Sequence, residues 1–279
     1  MEKLGLIAGA GALPVEVARE CLDAGRPLFV LRIKGLADER LADYPGVDVG
    51  VAEFGKIFKA LKAAKCKSVC LSGIVKRPDF RTLAPDLKGL ALLPGIVLEA
   101  RKGDDALLRA IVRIFEKEGF RVEGVQEVAG GLTLPSGPLG AHSPAQEHEG
   151  DIARALNVAR EIGRLDIGQG AVVARGLVLA VEAQEGTDAM LRRCAELPSA
   201  LRGQPGDPCG VLAKAPKPIQ ERRVDLPTIG LATVHRAAAA GLAGIVGETG
   251  GVLVLDREAV IAEADALGLF VVGIDPVSS

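Results

Sequence analysis

The sequence predicts an α/β protein with two domains, a Rossmann-like N-terminal domain with a parallel sheet and a mixed α/β C-terminal domain. Short apolar runs alternate with helical patterns over about the first 130 residues, which is typical of a parallel sheet. A segment rich in Gly, Pro and Ser, Gly130–Gln146, then interrupts this alternation. The second half keeps α/β alternation but contains a hairpin pattern, which indicates a mixed sheet.

The N-terminal domain is placed at residues 1–131. A short apolar run, Leu4–Gly9, predicts the first strand, and the helical pattern after it ends at Gly25. Further strands are predicted in "RPLFVLRIKG" and in Lys67–Val75. The amphipathic pattern of "GDDALLRAIVRIFEKEGF" predicts a helix that stops at Gly119, and "RVEGVQEV" predicts another strand.

Residues 132–146 are expected to form a linker or an exposed crossing segment, and 147–279 the C-terminal domain. That domain begins with the helical pattern "EGDIARALNVAREIGRL". Two β runs meet at Arg175-Gly176, which predicts a hairpin. A short helix follows with Thr187 as its expected N-cap, and helices and strands then alternate to the closing strand "LFVVGID".

Composition limits the classes of function. Hydrophobic residues make up 48% of the chain, so a large core is expected and disorder is not. Aromatic residues are 3% and tryptophan is absent, which disfavours a base-stacking surface for single-stranded nucleic acid. The net charge of −2 disfavours a general polyanion binder. We therefore expect no nucleic acid partner, and any anion site must be a local cluster of cations.

The expected location is the cytoplasm. The five cysteines form no CxxC pair, and we interpret them as ordinary reduced thiols in a reducing compartment. The first residues lead into a strand without a cleavable signal pattern, and no apolar run approaches the roughly 18 residues that span a bilayer. Peripheral contact with the cytoplasmic face of the inner membrane stays open, as does a homodimer.

The loop "GLIAGAGALP" places Gly9 and Gly11 between a strand and a helix. Glycines there let the backbone approach a phosphate, and a helix N-terminus favours its negative charge. Pro14 stands at the third glycine position of the dinucleotide fingerprint, and Arg32 where an acid would contact the ribose. A nucleotide or phosphate pocket is therefore favoured over a redox dinucleotide, and a simple tight turn remains an alternative.

Two clusters carry carboxylates. Lys102, Asp104 and Asp105 lie at a helix start, where the acids are expected to cap the helix and complement its dipole. The stretch "VEAQEGTDAM" places Glu182, Glu185 and Asp188 close together in sequence. Such carboxylates could hold Mg²⁺, which takes few protein ligands and keeps several waters. A solvated turn with a cap explains the second cluster equally well.

The stretch "KAPKPIQERRVDLPTIG" combines cations, prolines and one aspartate, Asp225. Lys214 and Lys217 lie beside prolines that restrict their backbone, so they suit a phosphate or pyrophosphate. Asp225 could bind a catalytic metal ion or orient a water against phosphorus. The alternative is a solvated loop, although the prolines favour a shaped one.

Several motifs, taken in order, resemble the LpxI family of UDP-2,3-diacylglucosamine pyrophosphatases. These motifs are "LGLIAGAGALP", "FGKIFKALKA", "RKGDDALLR", "DIGQGAVV", "VEAQEGTDAMLRR" and "KAPKPIQERRVDLPTIG". The resemblance runs from about Lys3 to Pro276. Each motif is weak alone, but the ordered set is specific.

The resemblance implies a Mg²⁺-dependent hydrolase of lipid A biosynthesis that converts UDP-2,3-diacylglucosamine to UMP and 2,3-diacylglucosamine 1-phosphate (lipid X). It implies substrate bound between two domains and an essential aspartate at Asp225. It also implies substrate contacts at Gly9, Gly11, Ala12, Leu13, Lys102, Gly103, Asp104, Asp105, Gln169 and Thr187. Substrate binding by Lys214 and Lys217, and a metal site of Asp225, Glu182, Glu185 and Asp188, are inferences from the residues themselves.

The two acyl chains of such a substrate need apolar surface. The segment Leu83–Ala100 and the stretch "LATVHRAAAAGLAGIVG" are candidates, because both are apolar and rich in small residues. Two other functions stay open: a nicotinamide-dependent oxidoreductase, and a nucleotide-binding regulator without enzymatic activity.

Overall fold

The computed structural model describes residues 1–76, 79–80, 82–204, 206–218 and 221–276. The chain divides into two compact units, Met1–Gly131 with Glu221–Asp225, and Leu132–Gln220 with Leu226–Ser279. The short segment Glu221–Asp225, which contains the predicted essential aspartate, therefore groups with the first unit. From sequence it was expected within the C-terminal domain.

The first unit contains a five-stranded sheet in the order β3-β2-β1-β4-β5, and each neighbouring pair is parallel. The strands are β1 (Leu4–Ala8), β2 (Leu28–Ile33), β3 (Gly46–Val49), β4 (Ser68–Ser72) and β5 (Arg121–Val122). Every residue of β1 is buried, as expected for the centre of a sheet covered on both faces. The strand order reverses between β1 and β4, and in such sheets ligands bind at the carboxyl ends beside that point.

The helices of the first unit are α1 (Leu13–Asp23), α2 (Phe54–Ala63), α3 (Leu87–Ala100), α4 (Asp104–Lys117) and α5 (Val125–Val128). The amphipathic pattern predicted for α4 is confirmed, and the helix ends before Gly119, whose φ is 90°. The strand predicted across "RVEGVQEV" is wrong beyond Val122. The Glu127 carboxylate accepts a hydrogen bond from the Gly124 N–H at 3.2 Å, so the chain turns into a short helix.

The second unit contains a mixed six-stranded sheet in the order β6-β13-β11-β9-β7-β8. Its strands are β6 (Gly137–Pro138), β7 (Gly170–Ala174), β8 (Leu177–Val181), β9 (Val211–Lys214), β11 (Gly244–Glu248) and β13 (Phe270–Ile274); β10 (Thr228–Ile229) and β12 (Leu253–Val254) pair separately. Strands β9, β11 and β13 are parallel, whereas β6, β7 and β8 each pair antiparallel.

The helices of the second unit are α6 (Glu149–Arg164), α7 (Thr187–Ala195), α8 (Leu231–Ala239) and α9 (Arg257–Ala266). The predicted hairpin is confirmed at Arg175 and Gly176, whose φ angles of 50° and 74° suit a two-residue turn. The buried carboxylate of Asp151 accepts hydrogen bonds from both turn N–H groups, at 2.8 and 2.7 Å, and so fixes the turn.

Residues 132–146, expected as a linker or an exposed crossing segment, pack as part of the second unit. Leu134 is fully buried in the core of that unit. Gly137–Pro138 forms the edge strand β6, which pairs antiparallel with β13. None of the helices in the described ranges is long and apolar enough to cross a bilayer.

Candidate active site

The glycine loop lies at the carboxyl end of β1, where it packs against the loop that follows β4. Ala10 and Ile74 exchange backbone hydrogen bonds of 2.9 and 2.8 Å. A Cβ on Gly9 would lie 2.8 Å from the Ile74 carbonyl oxygen, so this approach requires glycine. Gly11 has a φ of 92°, and Gly11 and Ala12 are exposed before the first turn of α1. Backbone geometry therefore accounts for both glycines, and the exposed N-terminus of α1 is compatible with a phosphate.

An apolar cavity of about 200 Å³ lies in the first unit. Its wall includes residues from the carboxyl ends of β1, β2 and β4, from the loop after β4 and from the helices α3 and α4: Ile7, Ile33, Leu71, Val75, Leu93, Ile96, Leu107, Leu108, Ile111 and Phe115. The wall also includes Val224, which directly precedes Asp225. From the predicted acyl-binding segment Leu83–Ala100, the structure places Leu83, Leu93 and Ile96 in this wall.

The larger aliphatic side chains of the second predicted acyl-binding stretch lie mostly in the core of the second unit. Val234, Ala237, Leu242 and Ile245 are fully or almost fully buried there. These side chains pack against neighbouring helices and strands, so they offer no surface to an acyl chain.

The "KGDD" segment does not cap α4 in the way the sequence suggested. Gly103, with a φ of 126°, is the N-cap residue, and both aspartates lie within the first turn. Lys102 is exposed and pairs with Glu99 at 2.6 Å. Asp105 is buried, and its Oδ1 accepts a hydrogen bond from the Glu221 backbone N–H at 2.8 Å. This carboxylate therefore holds the Glu221–Asp225 segment.

Asp225 ends a hydrogen-bonded turn and is half-buried. The N–H groups of Val224 and Asp225 both donate to the Glu221 carbonyl oxygen, at 3.0 and 3.3 Å. Arg223 pairs with Glu221 at 2.8 Å and with Glu116 on α4 at 2.7 Å. Its hydrogen bonds to these two carboxylates raise the pKa of the Arg223 guanidinium. The sequence assigned phosphate binding to Lys214 and Lys217; Arg223, in the same stretch, is held by acids of the first unit.

Lys214 lies at the carboxyl end of β9 in the second unit and is buried. Its Nζ donates to Thr187 Oγ1 and to the Thr228 carbonyl oxygen, both at 2.8 Å. Thr187 is the first residue of α7, and its expected role as N-cap is wrong because Gly186 occupies that position. The predicted substrate contacts Lys214 and Thr187 are therefore brought together at one end of the sheet.

Gln169 and Lys217 lie at this same end of the second unit. The Gln169 carbonyl oxygen accepts from the Ala215 N–H at 3.0 Å, beside Lys214. Lys217 Nζ pairs with Asp166 Oδ1 at 2.7 Å. Four of the predicted substrate-binding residues thus surround the ends of β7 and β9.

Of the predicted metal ligands Glu182, Glu185 and Asp188, the last two pair with different arginines, whereas the buried Oε2 of Glu182 accepts no hydrogen bond from the described residues. Glu185 pairs with Arg193 at 2.5 Å, and this hydrogen bond lowers the pKa of the Glu185 carboxyl. Asp188 pairs with Arg236 at 3.2 Å. Glu182 is buried, close to the backbone of Gly168 and Gly170. Across the described residues, no three or more His, Cys, Asp or Glu side chains form a group that could hold a metal ion.

Sequence reasoning missed the residues that attach Asp225 to α4. The sequence indicated Asp105 only as a cap or a substrate contact. No motif or pattern in the sequence indicated a role for Glu116, Glu221 or Val224. The contacts join residues more than 100 positions apart in the chain. The close spacing of Glu221 and Arg223 was visible in the sequence, but it did not reveal the third partner, Glu116.

The comparisons with known proteins match both halves of the chain. Residues 3–132 match the LpxI N-terminal domain family, and residues 135–272 match the LpxI C-terminal domain family. The chain is also 68% identical, over 276 residues, to the UDP-2,3-diacylglucosamine pyrophosphatase LpxI of Caulobacter vibrioides. That alignment covers 99% of this chain and 99% of the relative. The chain therefore belongs to the LpxI family, as its ordered motifs suggested.

Proposed function

We propose that this protein hydrolyses the pyrophosphate bond of UDP-2,3-diacylglucosamine and releases UMP and 2,3-diacylglucosamine 1-phosphate (lipid X), a step of lipid A biosynthesis. The observation that carries the proposal is the 68% identity, over nearly the full length of both chains, to a pyrophosphatase named for this substrate. The protein would thus be a hydrolase acting on a phosphoric anhydride.

In the proposed reaction, a water oxygen bonds to one phosphorus and the bridging P–O bond breaks. The bridging oxygen leaves with the other phosphate, so each product is a phosphate monoester. Asp225 is assigned to orient the water and accept its proton. Lys214 and Lys217 would neutralise charge on the phosphate oxygens, and the exposed N-terminus of α1 would favour a phosphate.

We also propose that the reaction depends on Mg²⁺. The separated carboxylates Glu182, Glu185 and Asp188 do not fit a shared metal site. Mg²⁺ in phosphate chemistry is usually held by one or two carboxylates together with substrate phosphates, and Asp225 fits that smaller role. When bound, the ion would stabilise negative charge that develops on the diphosphate.

The test is release of UMP from purified UDP-2,3-diacylglucosamine in MgCl₂, with and without EDTA. We expect stoichiometric UMP and lipid X in MgCl₂, and loss of turnover with EDTA that excess Mg²⁺ restores. Reaction in H₂¹⁸O identifies the attacked phosphorus, because the label enters only one product. Absence of UMP release would contradict the proposal, and enhanced NADH fluorescence on binding would support the oxidoreductase instead.

The apolar cavity of the first unit is proposed to receive part of one acyl chain. It is somewhat larger than the engineered cavity of roughly 150 Å³ that binds benzene. Its wall is almost entirely aliphatic and aromatic, which suits a hydrocarbon and excludes a charged nucleotide.

Filling this cavity should weaken recognition of the acylated substrate. We expect Leu107→Trp to lower kcat/KM for the diacylated substrate roughly tenfold, because each displaced methylene contributes about 0.8 kcal/mol. Leu267→Trp, a partly exposed leucine of the second unit, is the matched control and should have no effect. The measurement is steady-state kinetics with long-chain and short-chain substrates. If kcat/KM falls equally for the long-chain and the short-chain substrate, the cavity does not bind the acyl chain.

We propose that α3 makes peripheral contact with the membrane that contains the substrate. Leu87, Leu90 and Leu98 of this helix are 89%, 59% and 57% exposed. They lie at helical spacing with the exposed Ala91 and Pro94, and the helix is followed by Arg101 and Lys102. An apolar helix face next to cations is typical of contact with an anionic lipid surface.

Replacing Leu87, Leu90 and Leu98 together with Gln should abolish most binding to vesicles that contain phosphatidylglycerol. The readout is flotation of protein with vesicles in a density gradient. The control replaces three exposed leucines elsewhere, Leu22, Leu177 and Leu267, with Gln. Undiminished flotation of the α3 variant, or no flotation of the unaltered protein, would refute the assignment.

A further inference from the structure

We propose that α4 positions the catalytic segment: Asp105 and Glu116 fix the turn Glu221–Asp225 and thereby hold Asp225 in place for the reaction. The inference rests on the proposed function, because it assumes that Asp225 acts on the substrate. It assigns Asp105 as a positioning residue instead of a substrate contact.

The first attachment is a hydrogen bond to the backbone. Asp105 is only 6% exposed, and its Oδ1 accepts the Glu221 N–H at 2.8 Å. The other carboxylate oxygen, Oδ2, pairs with Arg109 one turn later on α4 at 2.5 Å. The Arg109 guanidinium therefore balances the charge of the buried Asp105 carboxylate. Because the partner is a backbone N–H group, this bond fixes the chain at Glu221 whatever side chain stands there.

The second attachment is a network of ion pairs. Nη1 of Arg223 donates to Glu116 at 2.7 Å, while Nε and Nη2 donate to the two Glu221 oxygens at 2.8 Å each. Glu116 follows Asp105 by eleven residues, about three helical turns, so the two acids project from nearly the same face of α4. One helix thus holds the turn at two points.

The third attachment is apolar and lies next to Asp225. Val224 contributes to the wall of the apolar cavity together with Leu107 and Ile111 of α4. It also packs against the core cluster of the first unit. Since residues 221, 223 and 224 are each fixed, the backbone leading to Asp225 has little freedom. Small displacements of a reacting group are costly, and about 1 Å can reduce the rate 100-fold.

The test compares two substitutions of the same residue. Asp105→Ala removes the acceptor and should lower kcat roughly 10- to 100-fold with KM changed less than about twofold. Asp105→Asn keeps an amide oxygen that accepts the Glu221 N–H, so we expect most of kcat to return. Lys117→Ala, an exposed residue in the last turn of α4, is the control. Hydrogen exchange of the 221–225 backbone should accelerate in Asp105→Ala and not in Asp105→Asn.

The outcomes separate this inference from the proposed function. If Asp105→Asn is as slow as Asp105→Ala, the hydrogen bond to the Glu221 N–H does not account for the effect on kcat, which overturns the positioning role. Unchanged kcat in Asp105→Ala overturns it as well. Near-normal turnover of Asp225→Ala would instead remove the assignment of Asp225. If Asp105→Ala does not fold, Arg223→Met, which removes the partly exposed second attachment, must show the same fall in kcat for the inference to stand.

Discussion

The Asp225→Ala variant should fold and bind substrate but lose roughly 10³-fold in kcat. A group that orients water and accepts its proton contributes about 10² to 10⁴ to the rate, which sets this magnitude. Folding should survive because the segment keeps the attachments made by the Glu221 backbone, Arg223 and Val224. The measurements are kcat, the Kd for substrate and the melting temperature.

Asp225→Asn is the matched control that keeps the size and shape of the side chain. The amide keeps the size of the carboxyl group but removes its charge and basicity, so kcat should be nearly as low as in Asp225→Ala. A kcat close to that of the unaltered protein in either variant would eliminate Asp225 as the group that activates water. A raised Kd with normal kcat would reassign it to binding.

The largest expected loss of stability follows removal of Glu123, a buried carboxylate at the end of β5. Both its oxygens pair with Arg26, at 2.8 and 2.9 Å, and Arg121 donates to one of them at 2.8 Å. Glu123→Ala would leave the Arg26 guanidinium, whose side chain is only 12% exposed, without its carboxylate. Removing one partner of a buried pair typically costs 3–5 kcal/mol, and we expect about 3 kcal/mol or more.

Urea denaturation of the Glu123→Ala variant measures this cost. The control is Glu185→Ala, which removes a more exposed pair with Arg193 and should cost far less stability. Similar small losses in both variants would show that the Glu123 network does not stabilise the first unit. Because Glu123 lies far from Asp225 in sequence and in a different network, kcat of folded enzyme should not change.

The same network predicts a pH dependence. Although burial acts in the opposite direction, the hydrogen bonds from Arg26, Ser68 and Arg121 lower the pKa of Glu123 to about 2, from an ordinary value of 4.5. The unfolded chain therefore binds this proton first as the pH falls. The stabilisation is complete above pH 4.5 and is lost as the pH falls towards 2. In Glu123→Gln the free energy of unfolding should depend less on pH between 5 and 3.

Much of the fold was predictable from local patterns. The alternation of short apolar runs with amphipathic helices determined the parallel sheet of the first unit and the mixed sheet of the second. Such patterns arise from the periods of the strand and the helix, which require only neighbouring residues. The Arg175-Gly176 hairpin was predictable for the same reason, since its turn geometry depends on two adjacent residues.

Predictions from local patterns were wrong where contacts with residues outside the local pattern determine the structure of a short segment. "RVEGVQEV" has the composition of a strand, yet only Arg121–Val122 pairs with β4, and a hydrogen bond from Gly124 to Glu127 turns the chain. Thr187 resembles an N-cap, but its hydroxyl accepts from Lys214 instead. The acids Glu182, Glu185 and Asp188 are close in sequence, but Glu185 pairs with Arg193 of α7 and Asp188 with Arg236 of α8, while Glu182 is buried.

The sequence alone determined the α/β architecture, the membership in the LpxI family and the importance assigned to Asp225. The tertiary structure alone decided that Asp225 belongs with the first unit, on a turn held by Asp105 and Glu116. The physical reason is that these attachments span more than 100 residues of chain. Every residue except proline has a backbone N–H group that can donate, so the sequence does not reveal that Asp105 binds the backbone at Glu221.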